Sequence, residues 1–233
     1  MAARQIVLDT ETTGLNARLG DRVIEIGCIE LLSRRVTERR FHHYVNPERE
    51  SEAGAISVHG LTAEFLADKP KFGEIARDFL DYVSGAELII HNAPFDLEFL
   101  DRELALAGLN PLASYVAGVV DTLAMARELH PGKKNSLDAL CERYLVDNAH
   151  RTLHGALLDA RLLAEVYLAM TRGQDSLMME LDAPAQQALA RATRVDVSKL
   201  VVLRASAEEA ATHEAYLDAL DKASGGKTVW RRA

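Results

Sequence analysis

The sequence predicts an α/β protein with five strands. Three segments near the N-terminus are rich in apolar and β-branched residues and follow one another closely, as in a β-meander. Two later short apolar segments, 88–90 and 116–120, alternate with segments in which apolar residues recur at helical spacing. This order favours strands that are connected through helices. A chain of 233 residues has room for one such domain and an appended segment.

The first strand, at 6–8, is followed by two carboxylates, Asp9 and Glu11. A period of two places both side chains on one face of the strand. Neighbouring like charges after an apolar strand are costly unless a cation neutralises them, and a divalent metal ion is the usual solution. Two alternatives stay open at this point. The acids are solvated at an exposed strand end, or the segment belongs to an Asp-x-Asp-x-Thr phosphatase, which has Asp where Glu11 stands.

The rest of the meander is expected to consist of a loop over 16–21, a long strand over 22–32, a polar turn over 33–38 and a third strand over 39–45. Another polar loop is expected ahead of His59. That histidine is either a structural loop residue or a substrate contact.

An amphipathic helix is predicted over 72–83, where six apolar residues recur at helical spacing. The short strand that follows ends at Asn92, a favourable N-cap residue, and Pro94 suits a first helical turn. Asp96 is therefore expected at a helix start that follows the carboxyl end of a strand. Ligands bind at that edge in open α/β sheets, which makes Asp96 a candidate site residue.

His154 lies five residues before Asp159, which is expected on a long helix with an apolar stripe. On one continuous helix these two side chains lie apart around the axis. They can serve one site only if His154 belongs to the loop before the helix, which Gly155 permits.

Composition limits the classes of function. A net charge of -8 argues against binding nucleic acid by bulk electrostatics alone, although bound divalent cations invert the field of a carboxylate site. Cys28 and Cys141 lack the spacing of a pair and are expected to be reduced, buried thiols. No apolar run approaches the roughly 20 residues of a membrane span. Since no signal peptide precedes the first strand, we expect a cytoplasmic protein without a membrane partner.

Five candidate residues lie at strand ends or close to helix starts: Asp9, Glu11, Asp96, His154 and Asp159. Four converging carboxylates can hold two metal ions about 4 Å apart. A histidine that titrates near neutrality can deprotonate a water molecule between them. Each residue alone has an ordinary structural explanation, but the five together favour a catalytic metal site.

Three segments carry a resemblance to a known family. Asp9-Thr-Glu11-Thr-Thr-Gly, His91-Asn-Ala-Pro-Phe-Asp96 and His154-Gly-Ala-Leu-Leu-Asp159 resemble the three exonuclease motifs of the DEDDh group. The chain is also similar to the proofreading (epsilon) subunits of bacterial DNA polymerase III, densely over 4–173 and more loosely beyond. The resemblance implies a ribonuclease H-like exonuclease fold, with a mixed five-stranded sheet flanked by helices. It also implies 3′–5′ removal of mispaired nucleotides as nucleoside monophosphates.

The resemblance further implies two Mg²⁺ or Mn²⁺ ions and a role for each candidate. Asp9 would bridge both ions, Glu11 and Asp159 would complete the site of the attacking water, and Asp96 would hold the second ion near the leaving oxygen. His154 would be the general base. The expected contacts to the terminal nucleotide of a single-stranded or frayed 3′ end are Thr12, His59, Asn92 and Phe95.

The resemblance implies three regions: an exonuclease domain at 1–173, a linker at 174–198 and a polymerase-binding segment at 199–233. The linker begins with residues that resemble a sliding-clamp-binding peptide: Gln174, Leu177, Met178 and Met179. The alternative is that these residues finish the last helix of the domain.

The last region is expected to contain a short strand at 199–203 and a helix that begins with a capping box of Ser206 and Glu209. Trp230 is expected to dock on the polymerase alpha subunit. A small accessory subunit is a further possible partner.

Two rival functions stay open. One is a free-standing exonuclease of the same group that trims RNA or repairs DNA, and the other is a scaffold that has lost catalysis. The retained five residues argue against the scaffold. Four basic residues either contact the nucleic-acid backbone or form a solvated face: Arg127, Lys133, Lys134 and Arg151.

Overall fold

The computed structural model describes residues 4–148, 153–172 and 205–225. The chain divides into two compact units, Met1–Met179 and Glu180–Ala233. No helix in the described ranges is long and apolar enough to cross a membrane. The clamp-like peptide from Gln174 to Met179, the expected strand at 199–203, Arg151 and Trp230 lie outside the described residues. The region boundaries near 173 and 198 lie there too and stay predictions.

The first unit contains a mixed sheet of five strands. They are β1 (Arg4–Thr12), β2 (Val23–Leu32), β3 (Arg35–Tyr44), β4 (Glu87–Ile90) and β5 (Gly118–Asp121). The strand order is β3-β2-β1-β4-β5. The pairs β1–β2 and β2–β3 are antiparallel, whereas β4 lies parallel to both β1 and β5. This arrangement confirms the predicted meander followed by two strands reached through helices.

Helices connect and cover the strands. They are α1 (Ala53–His59), α2 (Ala63–Leu66), α3 (Phe72–Val83), α4 (Ala93–Leu106), α5 (Thr122–Leu129), α6 (Leu137–Tyr144) and α7 (Ala156–Met170). The predicted helix over 72–83 is confirmed as α3, and Ser136 caps α6 by accepting a hydrogen bond from the backbone N–H of Ala139.

Alternation along β1 divides the core into two layers. Ile6 and Leu8 are fully buried in a cluster with residues of α3 and α4, whereas Val7 belongs to a second cluster with residues of α6 and α7. Because successive strand residues point to opposite faces, one strand organises both layers. By the same alternation, Asp9 and Glu11 share the face of Val7, which α6 and α7 cover, whereas Thr10 shares the face that α3 and α4 cover.

The second unit contains helix α8 (Ala207–Ser224). Its predicted capping box is confirmed, since the Ser206 hydroxyl accepts from the Glu209 N–H and the Glu209 carboxylate accepts from the Ser206 N–H. The helix ends at Gly225, whose left-handed φ of 62° suits a glycine.

The predicted turn over 33–38 was wrong, because β3 begins at Arg35. Ser33 and Arg34 have φ values of 50° and 61° and form the hairpin turn alone. Two residues with positive φ match the right-handed twist of the flanking strands, so the ladder continues up to the turn.

Two expected loops contain short helices. A 3-10 turn, Ala17–Leu19, is capped by the Asn16 side chain, and α1 occupies the stretch that ends at His59. Neither element spans more than 7 residues, too few to give a clear periodic pattern. The fifth strand begins at Gly118 rather than 116.

Candidate active site

The predicted acidic and basic residues converge. Five candidates line one cleft of about 640 Å³, the carboxylate cleft: Asp9, Glu11, Asp96, His154 and Asp159. They come from β1, the first turn of α4, the loop before α7 and the first turn of α7. Segments remote in sequence therefore supply one site, as the strand-end argument expects.

His154, Asp159 and Glu11 form the tightest cluster. One ligand atom from each residue lies within 4.8 Å of the others. The His154 Nδ1 atom is 3.1 Å from Asp159 Oδ2. Since α7 begins at Ala156, His154 lies in the preceding loop, as predicted. The His154 side chain is 44% exposed and Asp159 only 3%, so solvent reaches the imidazole while the carboxylate is enclosed.

Asp96 is held differently. Its carboxylate is 3% exposed, and Oδ1 accepts a hydrogen bond of 2.7 Å from the Thr10 hydroxyl. Burial raises the pKa of Asp96 to about 7, against the opposing effect of the Thr10 hydrogen bond and with a small addition from the negative charge of Asp121. At neutral pH without a cation, this carboxyl group is therefore protonated in a large fraction of molecules.

A partly buried ion pair links helix α4 to the residue that precedes β2. Arg22 Nε lies 2.7 Å from Glu103 Oε1, and a second Arg22 nitrogen lies 2.8 Å from Oε2. Glu103 Oε1 also accepts from the Val23 backbone N–H at 3.2 Å. Because Asp96 lies seven residues before Glu103, two turns along the same helix, this pair sets the rotation that points Asp96 into the cleft.

Helix α7 approaches the sheet at a glycine. Gly27 on β2 pairs with Asp9, and a Cβ atom added at Gly27 would overlap the backbone of Ala156 and Leu157 at the start of α7. The missing side chain lets the first turn of α7, with Asp159, pack directly against the strand beside Asp9.

A second buried acid lies opposite Glu11 on the neighbouring strand. Glu25 pairs with Glu11 across β1 and β2 and is 3% exposed. Its Oε1 atom is 2.7 Å from the Nε2 atom of His42 on β3. This contact places a group that can carry positive charge beside the buried Glu25 carboxylate.

A smaller, mostly apolar pocket of about 370 Å³ adjoins the carboxylate cleft; we call it the apolar pocket. Thr12, His59 and Phe95 line it, three of the four residues predicted to contact the terminal nucleotide. Asn92 lines neither cavity and is exposed. Asn92 holds the predicted N-cap position of α4, with a left-handed φ of 68°, but its side chain makes no cap hydrogen bond.

His59 presents a buried hydrogen-bond donor. Its Nδ1 atom accepts from the Leu61 N–H at 2.9 Å, so the proton of the neutral ring is on Nε2. Among the described residues, His59 Nε2 is the one buried side-chain nitrogen or oxygen without a partner. Burial lowers the pKa of His59, partly offset by the charge of Glu25, so the ring is neutral near pH 7.

The donor set fits divalent metal ions. Four carboxylates supply hard oxygen ligands, the type that Mg²⁺ and Mn²⁺ prefer, and the cleft is accessible to solvent. Buried carboxylates at this density need positive charge. The His154 imidazole, 3.1 Å from Asp159, can supply at most one positive charge to four carboxylates.

Sequence reasoning missed the residues that support the site. Glu103 could have been found, because a charged residue two turns after Asp96 lies on the same helical face. Glu25 and Gly27 interrupt one face of the apolar second strand, but nothing local indicates which residue pairs with Glu25 or which helix approaches Gly27. Arg22 gives no signal, since its partner is distant in sequence.

Comparison with known proteins gives the family. The "Exonuclease" family model matches residues 6–167. The DNA polymerase III subunit epsilon of Escherichia coli K12 is 52% identical, with 98% of this chain and 97% of the relative covered. The corresponding Haemophilus influenzae subunit is 47% identical, with 97% and 94% covered. The chain belongs to the epsilon-subunit family of bacterial DNA polymerase III.

Solved structures agree with this epsilon-family assignment. Exonuclease X in complex with 5′ overhanging duplex DNA is 25% identical, with a TM-score of 0.56 over 72% of this chain and 92% of that one. An E. coli ExoI–ssDNA complex with zinc is 19% identical and shares the fold, with a TM-score of 0.67 over 78% and 43%. The ribonuclease H-like fold is confirmed. The epsilon-family chain is a metal-dependent 3′–5′ exonuclease of the proofreading type.

Proposed function

We propose that the carboxylate cleft removes the 3′-terminal nucleotide of DNA with two Mg²⁺ or Mn²⁺ ions. Asp9, Glu11, Asp96 and Asp159 would hold these ions, with Asp9 as the ligand expected to be shared. The observation that carries this proposal is that all four acids and His154 line one cleft. When bound, the two ions act as Lewis acids that stabilise charge on the attacking and leaving oxygens.

His154 is proposed as the general base. Its exposed ring can reach a water molecule, and the contact of Nδ1 with Asp159 leaves Nε2 as the atom that takes the proton. The negative charge of Asp159 then stabilises the imidazolium that forms. His154 also lies close enough to Glu11 and Asp159 to serve as a metal ligand. Its role therefore needs a measurement that distinguishes metal binding from turnover.

The apolar pocket is proposed to bind the terminal nucleoside. Phe95 and the neighbouring apolar wall offer a surface for the base, and the Nε2–H group of His59 donates to an acceptor on the sugar or base. Thr12 lines the same pocket, although its hydroxyl donates to the Gly14 carbonyl at 2.6 Å. Asn92 is kept as a proposed substrate contact, although it is exposed and lines neither cavity.

Selection of mispaired ends follows from the cost of unstacking. A terminus must leave the duplex to enter the site, and a mispaired nucleotide unstacks at a lower cost than a paired one. We therefore propose that this protein acts on frayed ends delivered by the polymerase.

The proposed partners are the polymerase alpha subunit, through 199–233 and Trp230, and the sliding clamp, through the Gln174–Met179 peptide. The names of the relatives support assembly with DNA polymerase III. A small accessory subunit and a cytoplasmic location belong to the same proposal. Truncation after Gly173 is expected to abolish co-purification with the alpha subunit while hydrolysis of single-stranded DNA continues. Equally tight binding of the truncated chain would exclude docking through the tail.

The test of the nuclease proposal is direct. Incubation with Mg²⁺ and 5′-labelled single-stranded DNA is expected to give a ladder with one-nucleotide steps and free nucleoside monophosphates. Chelation of the metal should stop the reaction, and Asp9→Ala should reduce it to background because both ions lose a ligand. A folded Asp9→Ala protein with wild-type activity would exclude the two-metal assignment.

A further inference from the structure

The segment between α5 and α6 forms one wall of the carboxylate cleft. Arg127, in the last turn of α5, and Lys133, in the following loop, both line the cleft and are exposed. Neither residue lines the apolar pocket. Within the described part of the chain, neither forms an ion pair with a carboxylate. Positive charge is thus available on this wall.

The loop that carries Lys133 is braced from within. The Asn135 side-chain amide donates to the carbonyl oxygens of Lys133 and His130, at 3.1 and 3.4 Å. Arg143 on α6 donates to Asn135 Oδ1 at 3.1 Å and to the Lys134 carbonyl at 2.8 Å. These bonds hold the backbone of both lysines, so the direction in which each side chain leaves the backbone is set before substrate binds.

The two adjacent lysines of this loop differ in position relative to the cleft. Lys133 lines the cleft and Lys134 does not, although both are exposed and carry the same charge. The sequence alone gives no reason to distinguish them.

The direction of the substrate strand determines which of its phosphates can lie near Lys133. A 3′-terminal nucleotide has a free 3′-OH, so no phosphate lies beyond the apolar pocket, and every other phosphate of the strand lies on the 5′ side of the scissile one. The carboxylate cleft adjoins the apolar pocket and holds the scissile phosphate in the proposed function, so the strand is placed along this cleft. That cleft also contains the acidic side chain of Asp138, so an anionic strand needs cations outside the metal site.

We propose that Lys133, supported by Arg127, binds the phosphate one nucleotide 5′ of the scissile phosphate and so fixes the register of the strand. This inference rests on the proposed function, because it takes the terminal nucleoside to occupy the apolar pocket. Lys133 acts as a substrate-binding residue and takes no part in bond breaking.

The experiment compares Lys133→Ala with Lys134→Ala, which remove the same charge from adjacent positions. On a single-stranded oligonucleotide, Lys133→Ala should lower kcat/KM about tenfold, mainly through KM, as for loss of one charge-assisted hydrogen bond. The slope of log(1/KM) against log salt should become shallower by about 0.7, the value for one phosphate contact on a single strand. Lys134→Ala should stay within about twofold of wild type.

Two further substrates locate the contact. An aryl ester of thymidine 5′-phosphate contains the scissile phosphate but no upstream one, so wild type and Lys133→Ala should hydrolyse it equally. An oligonucleotide with a neutral methylphosphonate one nucleotide 5′ of the scissile phosphate should be a poorer substrate for wild type. Lys133→Ala should lose nothing more on it, because the two changes remove the same interaction.

The outcomes separate the two proposals. Equal losses in Lys133→Ala and Lys134→Ala, a loss of Lys133→Ala on the aryl ester, or additive losses with the methylphosphonate would each overturn the phosphate contact alone. A wild-type protein that hydrolyses neither the oligonucleotide nor the aryl ester would overturn the proposed function as well.

Discussion

Asp96 on α4 and Asp159 on α7 are equally buried, each with 3% of the residue exposed, but they have different partners. Asp159 lies 3.1 Å from the His154 imidazole, a group that can carry positive charge. Asp96 accepts from the neutral hydroxyl of Thr10. Both acids lie in the first turn of a helix, where the helix dipole favours negative charge. Burial and the helix dipole therefore do not distinguish the two acids, whereas their hydrogen-bond partners do.

This contrast divides the site into two halves, the α4 side with Asp96 and the α7 side with His154 and Asp159. It concerns the charge of each half before metal binds. On the α4 side, burial raises the pKa of Asp96 to about 7, so a proton neutralises the carboxylate and a cation must displace it. On the α7 side, a histidine lies within hydrogen-bond distance and Glu11 lies close by. We infer that the two halves of the site differ in how their charge is balanced before metal binds, although they use the same ligand type.

Of the effects predicted from this comparison, the largest concerns the α7 side. His154→Ala should lower turnover by roughly 10²–10⁴-fold, the usual contribution of a positioned general base. Mn²⁺ binding should be nearly unchanged, because the four carboxylates remain. Single-turnover hydrolysis and a calorimetric Mn²⁺ titration measure the two properties. If the variant loses Mn²⁺ binding, His154 is a metal ligand rather than the base.

The second prediction concerns a substitution on β2 that should displace the first turn of α7. Gly27→Ala places a methyl group against the backbone of Ala156 and Leu157, which should displace Asp159 and destabilise the fold by about 1–3 kcal/mol. A displacement of about 1 Å at a catalytic group can cost roughly 100-fold in rate.

The matched control for Gly27→Ala is another strand glycine. A Cβ atom at Gly118 on β5 would meet nothing closer than Glu87 Oε1 at 4.0 Å, so Gly118→Ala should keep near-wild-type activity. Nuclease rate and melting temperature are measured for both variants. Equal effects of the two substitutions would mean that the close approach of α7 does not position the site.

The comparison also shows how far sequence reasoning extends. Asp9, Asp96 and Asp159 could be predicted to converge because strand ends and helix starts meet at one sheet edge. The place of His154 in a loop followed from its separation from Asp159 together with the assumption that both residues serve one site. These inferences depend on local periodicity and on topology, and both are encoded within short segments.

The remaining features depend on contacts between distant segments. The close approach at Gly27, the Arg22–Glu103 pair and the contrast between Lys133 and Lys134 arise from tertiary packing. The raised pKa of Asp96 belongs to the same class, because it comes from burial that no local pattern indicates.

The smallest predicted effect concerns the α4 side. In metal-free protein, Asp96 keeps its proton up to about pH 7, whereas the unfolded chain loses it near the ordinary value of 3.8. Since the folded state binds more protons between these values, the free energy of unfolding should decrease as the pH rises from about 4 to 7 and then level off. Asp96→Asn removes this dependence and keeps an oxygen that can accept from Thr10.

Thermal unfolding in the presence of a chelator, as a function of pH, tests the unequal halves most directly. Relative to wild type, Asp96→Asn should melt at a similar temperature near pH 4 and at a higher one above pH 7. A constant difference in melting temperature between Asp96→Asn and wild type across this range would contradict a protonated Asp96 in the metal-free protein.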